Sequence, residues 1–154
     1  MDAGTEMDVI ALAGTTRAVC AAVLRYRDGR LTDKREFVFH DTTDIEAVRE
    51  EFLPQYYLDG ETIPKTIAVD TLPPDAEALN QALNEARGSK VELYVPQRGD
   101  VAKLVTMAYT NAVERLGRES GRYTREEKLL EEAAQVLGLT TPPRVIAVSY
   151  THLT

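Results

Sequence analysis

Four groups of side chains in this sequence could do chemistry, and each asks for a different partner. In "VELYVPQRGDVAKLV", Arg98, Gly99 and Lys103 bring a forked cation, a permissive backbone position and an amine to the start of an apolar helix pattern. Arginine and the free N–H groups of a helix start suit a phosphate. Asp100 sits at the same start, where it caps the helix and repels that phosphate. Arg98, Gly99 and Lys103 are therefore candidate DNA phosphate contacts, while the residues favour a glycine turn capped by Asp100. There is no GxxxxGK[ST] run, so a P-loop is excluded.

Asp8, Glu46 or Glu50, and Asp70 are acids that could hold cations for phosphodiester hydrolysis, which needs carboxylates around metals about 4 Å apart. Asp8 precedes an apolar run instead of sitting inside it, and Asp70 leads into "TLPPD". Both are expected to be solvated or capping acids, so no catalytic residue is assigned. Phe52, Tyr56 and Tyr57 could stack on bases, but their helical spacing beside Glu50, Glu51 and Asp59 favours core packing. Arg115, Arg118, Arg122 and Arg125 make the one basic cluster. Glu114 and Glu119 interrupt it, so it is expected to be a solvated joint between helices. His40 and His152 are expected at the surface. With these two distant histidines and the single Cys20, which lies in an apolar run, a zinc site is excluded and no metal ligand is assigned.

Composition narrows the partners. The 154 residues suffice for one domain with a sizeable core, and 44% hydrophobic with 28% charged residues is ordinary for a soluble chain. No run is long and apolar enough for a membrane span, and "MDAGTEMD" is not a signal peptide. A reducing cytoplasm is the expected location. The net charge of −7 is uneven: residues 1–97 hold 10 Lys/Arg against 18 Asp/Glu, and residues 98–154 hold 8 against 7. Bulk charge therefore argues against an autonomous, high-affinity nucleic-acid binder.

The elements that must position these groups follow from periodicity. "DVIALAG" reads as a strand covered on both faces, and "RAVCAAVLRYRDG" as a second, with an Asp-Gly hairpin turn into "LTDKREFVFH". Asp44 caps a helix with Ile45, Val48, Phe52 and Tyr56 on one face, which Pro54 is expected to kink or end. "KTIAVD" is a buried strand. The helix from Pro74-Asp75 turns Ala76, Leu79, Leu83 and Ala86 inward and ends at Gly88. "KVELYV" is the fifth strand. A helix then carries the stripe Val101, Leu104, Val105, Ala108, Ala112, Val113 and Leu116. Gly117 to Gly121 is expected to break it. Thr124 to Glu127 would box a further helix, with Leu129, Leu130, Ala133 and Leu137 inward, before a strand fragment near "VIAV". The fold class is thus α/β, a mixed sheet in the order βββαβαβα plus a helix and a strand fragment. That order is the one of ribonuclease-H-like domains, whose chemistry asks for acids on the first strand, the first helix and the end of the fourth strand.

"EFLPQYYL", "IPKTIAV", "PDAEAL" and above all "VELYVPQRGDVAKLVTMAYTNA", in this succession, resemble the UvrC family of the UvrABC excinuclease. The resemblance covers residues 7 to 146, between that family's UvrB-binding hairpin and its C-terminal nuclease domain. It implies nucleotide-excision repair within the DNA-damage (SOS) response. The implied partners are a UvrB–DNA complex and damaged double-stranded DNA. The family's nuclease is expected to use Mg²⁺, and no cofactor is expected in this stretch. The sequence departs from the family at "PPRVIAVSYTHLT", where Ser149 falls at the position of the nuclease's first metal-binding Asp. The expected division is residues 1–7 as linker, 8–116 as a non-catalytic ribonuclease-H-like domain, 117–123 as a joint and 124–146 as a lead into a nuclease domain. Residues 147–154 are expected to be a non-native or truncated tail. Two alternatives stand: a metal-dependent nuclease using Asp8 and Asp70, and a protein-interaction domain without DNA contact.

Overall fold

A computed structural model describes residues 6–137, with side chains described for 6–119. The elements are β1 (Glu6–Gly14), β2 (Ala18–Arg27), β3 (Arg30–His40), α1 (Ile45–Leu58), β4 (Thr66–Val69), α2 (Ala76–Arg87), β5 (Glu92–Tyr94) and α3 (Asp100–Leu137). The strand fragment near Val145, Ser149, His152 and the tail 147–154 lie outside the described residues.

The five strands form one sheet in the order β3-β2-β1-β4-β5. β1, β2 and β3 meander antiparallel, whereas β4 and β5 run parallel to β1. The Asp28-Gly29 turn has both residues at positive φ, 55° and 73°, which matches the twist of a tight hairpin. The near-continuous apolar run of β1 is explained by cover on both faces. Met7, Val9, Ala11 and Ala13 join the core under α3, with Ala108, Ala112 and Leu116. Ile10 and Leu12 join the core under α1 and α2, with Val48, Phe52, Leu53, Leu79 and Leu83.

Asp44 caps α1 by accepting from the Ala47 N–H at 3.1 Å. Of the two outcomes expected at Pro54, a kink or an end, the end does not occur: α1 continues to Leu58. Leu53 and Tyr57 are buried on either side of the proline, and that packing outweighs the one backbone bond it forgoes. In α2, Gly88 takes the left-handed cap at φ 82°, and its N–H reaches the Asn84 carbonyl. Leu79 and Leu83 are buried, but Ala86 is exposed. The short edge strand β5 borrows bonds from α2. Asn80 bonds the Val91 carbonyl and the Leu93 N–H, and Asn84 accepts from the Val91 N–H.

The break expected at Gly117 to Gly121 is absent, and Thr124 to Glu127 is helix interior in the single 38-residue α3. Glycine in a helix costs about 1 kcal/mol, too little to stop one anchored on both sides. Leu116 is buried before Gly117, and Glu119, buried after it, pairs with Arg115 at 2.8 Å.

Candidate functional site

The end of β1 and β4 facing α1 is where this sheet order would place hydrolytic acids. Asp70 follows β4 directly and donates its N–H to the Ile10 carbonyl at 3.1 Å. Its Oδ2 accepts from the Leu12 N–H at 3.2 Å, and its Oδ1 from the Thr71 N–H at 2.9 Å. Arg49 of α1 brings Nη1 to 2.5 Å from Asp70 Oδ1 and to 3.5 Å from the Thr71 carbonyl. Its Nε lies 3.5 Å from Glu46 Oε2. Asp70 is thus neither solvated nor a simple turn cap. It is fixed by two backbone donors and neutralised by a guanidinium whose side chain is only 4% exposed. The β1 residues beside it are Ile10 and Leu12, which offer no carboxylate.

Asp8 corrects the other half of the expectation. It lies inside β1 and is fully buried. Tyr57 donates its hydroxyl to Asp8 Oδ2 at 2.7 Å, Arg27 Nη1 reaches Oδ1 at 3.1 Å, and Arg25 Nε stands 3.5 Å from it. The network continues outward: Glu61 pairs with Arg25 at 2.6 Å and with Arg35 at 2.8 Å, and Arg35 bonds Asp33 and the Tyr56 hydroxyl. Loss of water raises the Asp8 carboxyl above its usual range, although Tyr57, Arg25 and Arg27 pull it down. Burial beside Asp8 raises the Tyr57 and Tyr56 phenols as well. Asp8 pairs with Ile67 in the register, three residues short of Asp70, or about 10 Å along the strand. The two acids face different cations and share no site for a metal.

The remaining candidates sort by exposure. Arg98, Gly99 and Lys103 are all exposed, Gly99 has φ 91°, and its carbonyl accepts from the Lys103 N–H at 3.3 Å. An open cavity of about 520 Å³ borders Arg98, Gln97 and Pro96, with Asp100 also on its rim. Phe52 and Tyr57 are core residues and Tyr56 is half-buried among them, as the helical spacing indicates. Arg115 and Arg118 lie within one continuous helix and not at a joint: Arg115 pairs with buried Glu119, and Arg118, itself exposed, reaches buried Glu36 at 3.4 Å. The Arg122 and Arg125 side chains lie outside those described. His40 is not a surface residue but lies 3.7 Å from Glu119 with its side chain 8% exposed. Cys20 is buried beside these groups, its thiol pushed up to about 12 by burial and then by Glu36.

Arg25 and Arg49 escaped sequence reasoning. Arg25 had a signal: Val19, Ala21 and Val23 line the α1 face of β2, which is buried on both faces, and the next position on that face is an arginine that must find an anion. Arg49 stands next to the inward Val48 in α1, a place where a long side chain reads equally well as solvent-facing.

Strand order, parallel and antiparallel pairing, and helices on both faces define a ribonuclease-H-like α/β domain. The family model described as "UvrC Ribonuclease H-like domain" matches residues 6–119. The chain belongs to this family. UvrABC system protein C of Salinispora arenicola is 38% identical over 149 residues, covering 91% of this chain and 23% of the relative. The protein of the same name from Streptomyces griseus is 34% identical, covering 97% of this chain and 22% of the relative. That of Finegoldia magna is 31% identical over 84% of this chain. The chain therefore spans less than a quarter of the length of these relatives.

Proposed function

We propose that this domain is a non-catalytic part of a UvrABC system protein C that acts in nucleotide-excision repair. It connects and orients UvrB-binding and nuclease modules on damaged DNA, with residues 8–116 as the connecting body. The observation that carries this reading is the state of the sheet end. Leu12 stands on the strand that should give a carboxylate, and Arg49 pairs with both Asp70 and Glu46, the acids that remain. Two-metal hydrolysis needs several converging carboxylates, and a resident guanidinium repels the cations. The same geometry weighs against a nuclease built on Asp8 and Asp70. Such a nuclease would need the two acids within a few ångströms of shared metal.

On this reading DNA contact is confined to phosphate, through Arg98, Gly99 and Lys103 at the start of α3. Their exposure supports it, and the absence of a basic field predicts weak binding. The test incubates the purified chain with damaged and undamaged duplex in Mg²⁺ or Mn²⁺, scoring nicking and gel retardation across salt. The expected result is no nicking, with weak, salt-steep retardation reduced several-fold by Arg98→Ala. Metal-dependent nicking abolished by Asp70→Asn would overturn the connecting role. Retardation unchanged in Arg98→Ala would remove the phosphate contact and favour a protein-interaction domain.

A further inference from the structure

We propose that the outer face of α3 joins two copies of this chain, helix against helix and antiparallel. α3 lies on the sheet through Ala108, Ala112 and Leu116. On its other side Lys103, Met107, Thr110 and Glu114 are all exposed, and their spacing of four, three and four residues places them in one stripe. A surface helix ordinarily carries charge on the face it turns to water. No charged residue stands between Lys103 and Glu114, a length of about 16 Å of helix. Met107 and Val113 occupy this face instead, 42% and 45% exposed. Apolar side chains grouped at the surface in this way mark a contact.

The charges at the two ends of the stripe identify the occupant. Neither Lys103 nor Glu114 has an ion-pair partner among the described residues, and the arginines near Glu114 serve Glu119 and Glu36 instead. In an antiparallel pair related by a twofold axis, a residue before the axis meets the residue equally far beyond it. With the axis between Ala108 and Tyr109, Lys103 meets the partner's Glu114 and Met107 meets the partner's Thr110, each contact occurring twice. Thr106 and Val113 flank the seam, and the same symmetry brings each toward the other. Further out, Asp100 and Arg118 repeat the opposition of sign. A parallel pair would set Lys103 against Lys103 and Glu114 against Glu114, which like charges oppose. The stripe is thus its own complement, which neither a polyanion nor a partner of uniform charge would match. A single helix face is small for an interface, and a net charge of −7 on each chain adds repulsion, so the dimer is weak. It takes up Lys103 and so competes with the phosphate contact proposed above, but it does not rest on the connecting role.

Sedimentation equilibrium of the purified chain, without DNA and across a range of concentration, tests it. Wild type should dimerise with a dissociation constant on the order of 100 µM, in the range of small, transient contacts. Met107→Lys, which puts a charge into the centre of the seam, should weaken the dimer by about tenfold or more. Lys103→Glu and Glu114→Lys should each weaken it several-fold, and the two combined should restore the wild-type value, because the pairs are then re-formed with their signs exchanged. All three positions are exposed, so the variants should keep the wild-type circular dichroism. A wild type that stays monomeric up to about 1 mM would overturn the proposal and leave the face to a different partner. A dimer indifferent to Met107→Lys would place the contact elsewhere, and a double variant no tighter than the single ones would remove the antiparallel pairing; either result overturns the proposal.

Discussion

Asp8 shows how a carboxylate expected at the solvent can be a buried residue of the sheet. Its place at the head of an apolar run suggested solvent, but the strand begins at Glu6, and Asp8 lies under Tyr57 with two guanidiniums beside it. The consequence is a pH dependence with a definite sign. Burial raises the folded-state value above 3.8, so the folded protein holds this proton more tightly than the unfolded chain. The stability this contributes is complete below the unfolded value and is lost as pH rises through the folded one. Asp8→Asn does not titrate. The unfolding free energy of wild type minus that of Asp8→Asn, measured in urea, should therefore fall as pH rises from about 4. A flat or rising difference would show that Arg25 and Arg27 outweigh the loss of water.

At the scale of elements, the helix ends divide according to how much of each signal is local. Gly88 is legible because a left-handed backbone angle at a helix end is a demand that glycine meets by itself. Gly117 carries the same letter, and its meaning is set by long-range contacts: Glu119 with His40, and Arg118 with Glu36 across 82 residues. A continuous α3 makes a simple prediction. Gly117 has open space around its α-carbon, so Gly117→Ala should stabilise the protein by up to about 1 kcal/mol in urea unfolding. A helix that broke there would gain nothing. The succession of strands and helices and the cover on both faces of β1 follow from the apolar runs, and the ribonuclease-H-like class could be read from element order. The ion pairs of Arg25, Arg49 and Arg118 could not, because each joins residues distant in sequence through side chains of many conformations.

For the whole molecule, the two faces of the sheet divide the work of holding charge. The α1 face buries Asp8 with its guanidiniums and, at the opposite end of the strand register, pairs Arg49 with Asp70. The α3 face buries Glu36 against Lys34 and Arg118. Charges placed this way are costly to leave unpaired, so they specify how each helix sits more than they add net stability. The connecting role proposed above would have use for that property, since its value would lie in holding one geometry.

The two asparagines of α2 give that geometry a mechanical reading. Because Asn80 and Asn84 grip the backbone of Val91 and Leu93, β5 and the loop that follows it are geared to the helix and not only to β4. Asn80→Ala should speed amide hydrogen exchange at Leu93 by about tenfold, the equivalent of one lost hydrogen bond, while leaving the amides of β1 unchanged. Equal acceleration throughout the sheet would show global loosening. On the connecting role proposed above, a push on α2 from a neighbouring module would reach β5 through these three bonds, so a contact on one side of the domain would be felt along the sheet edge.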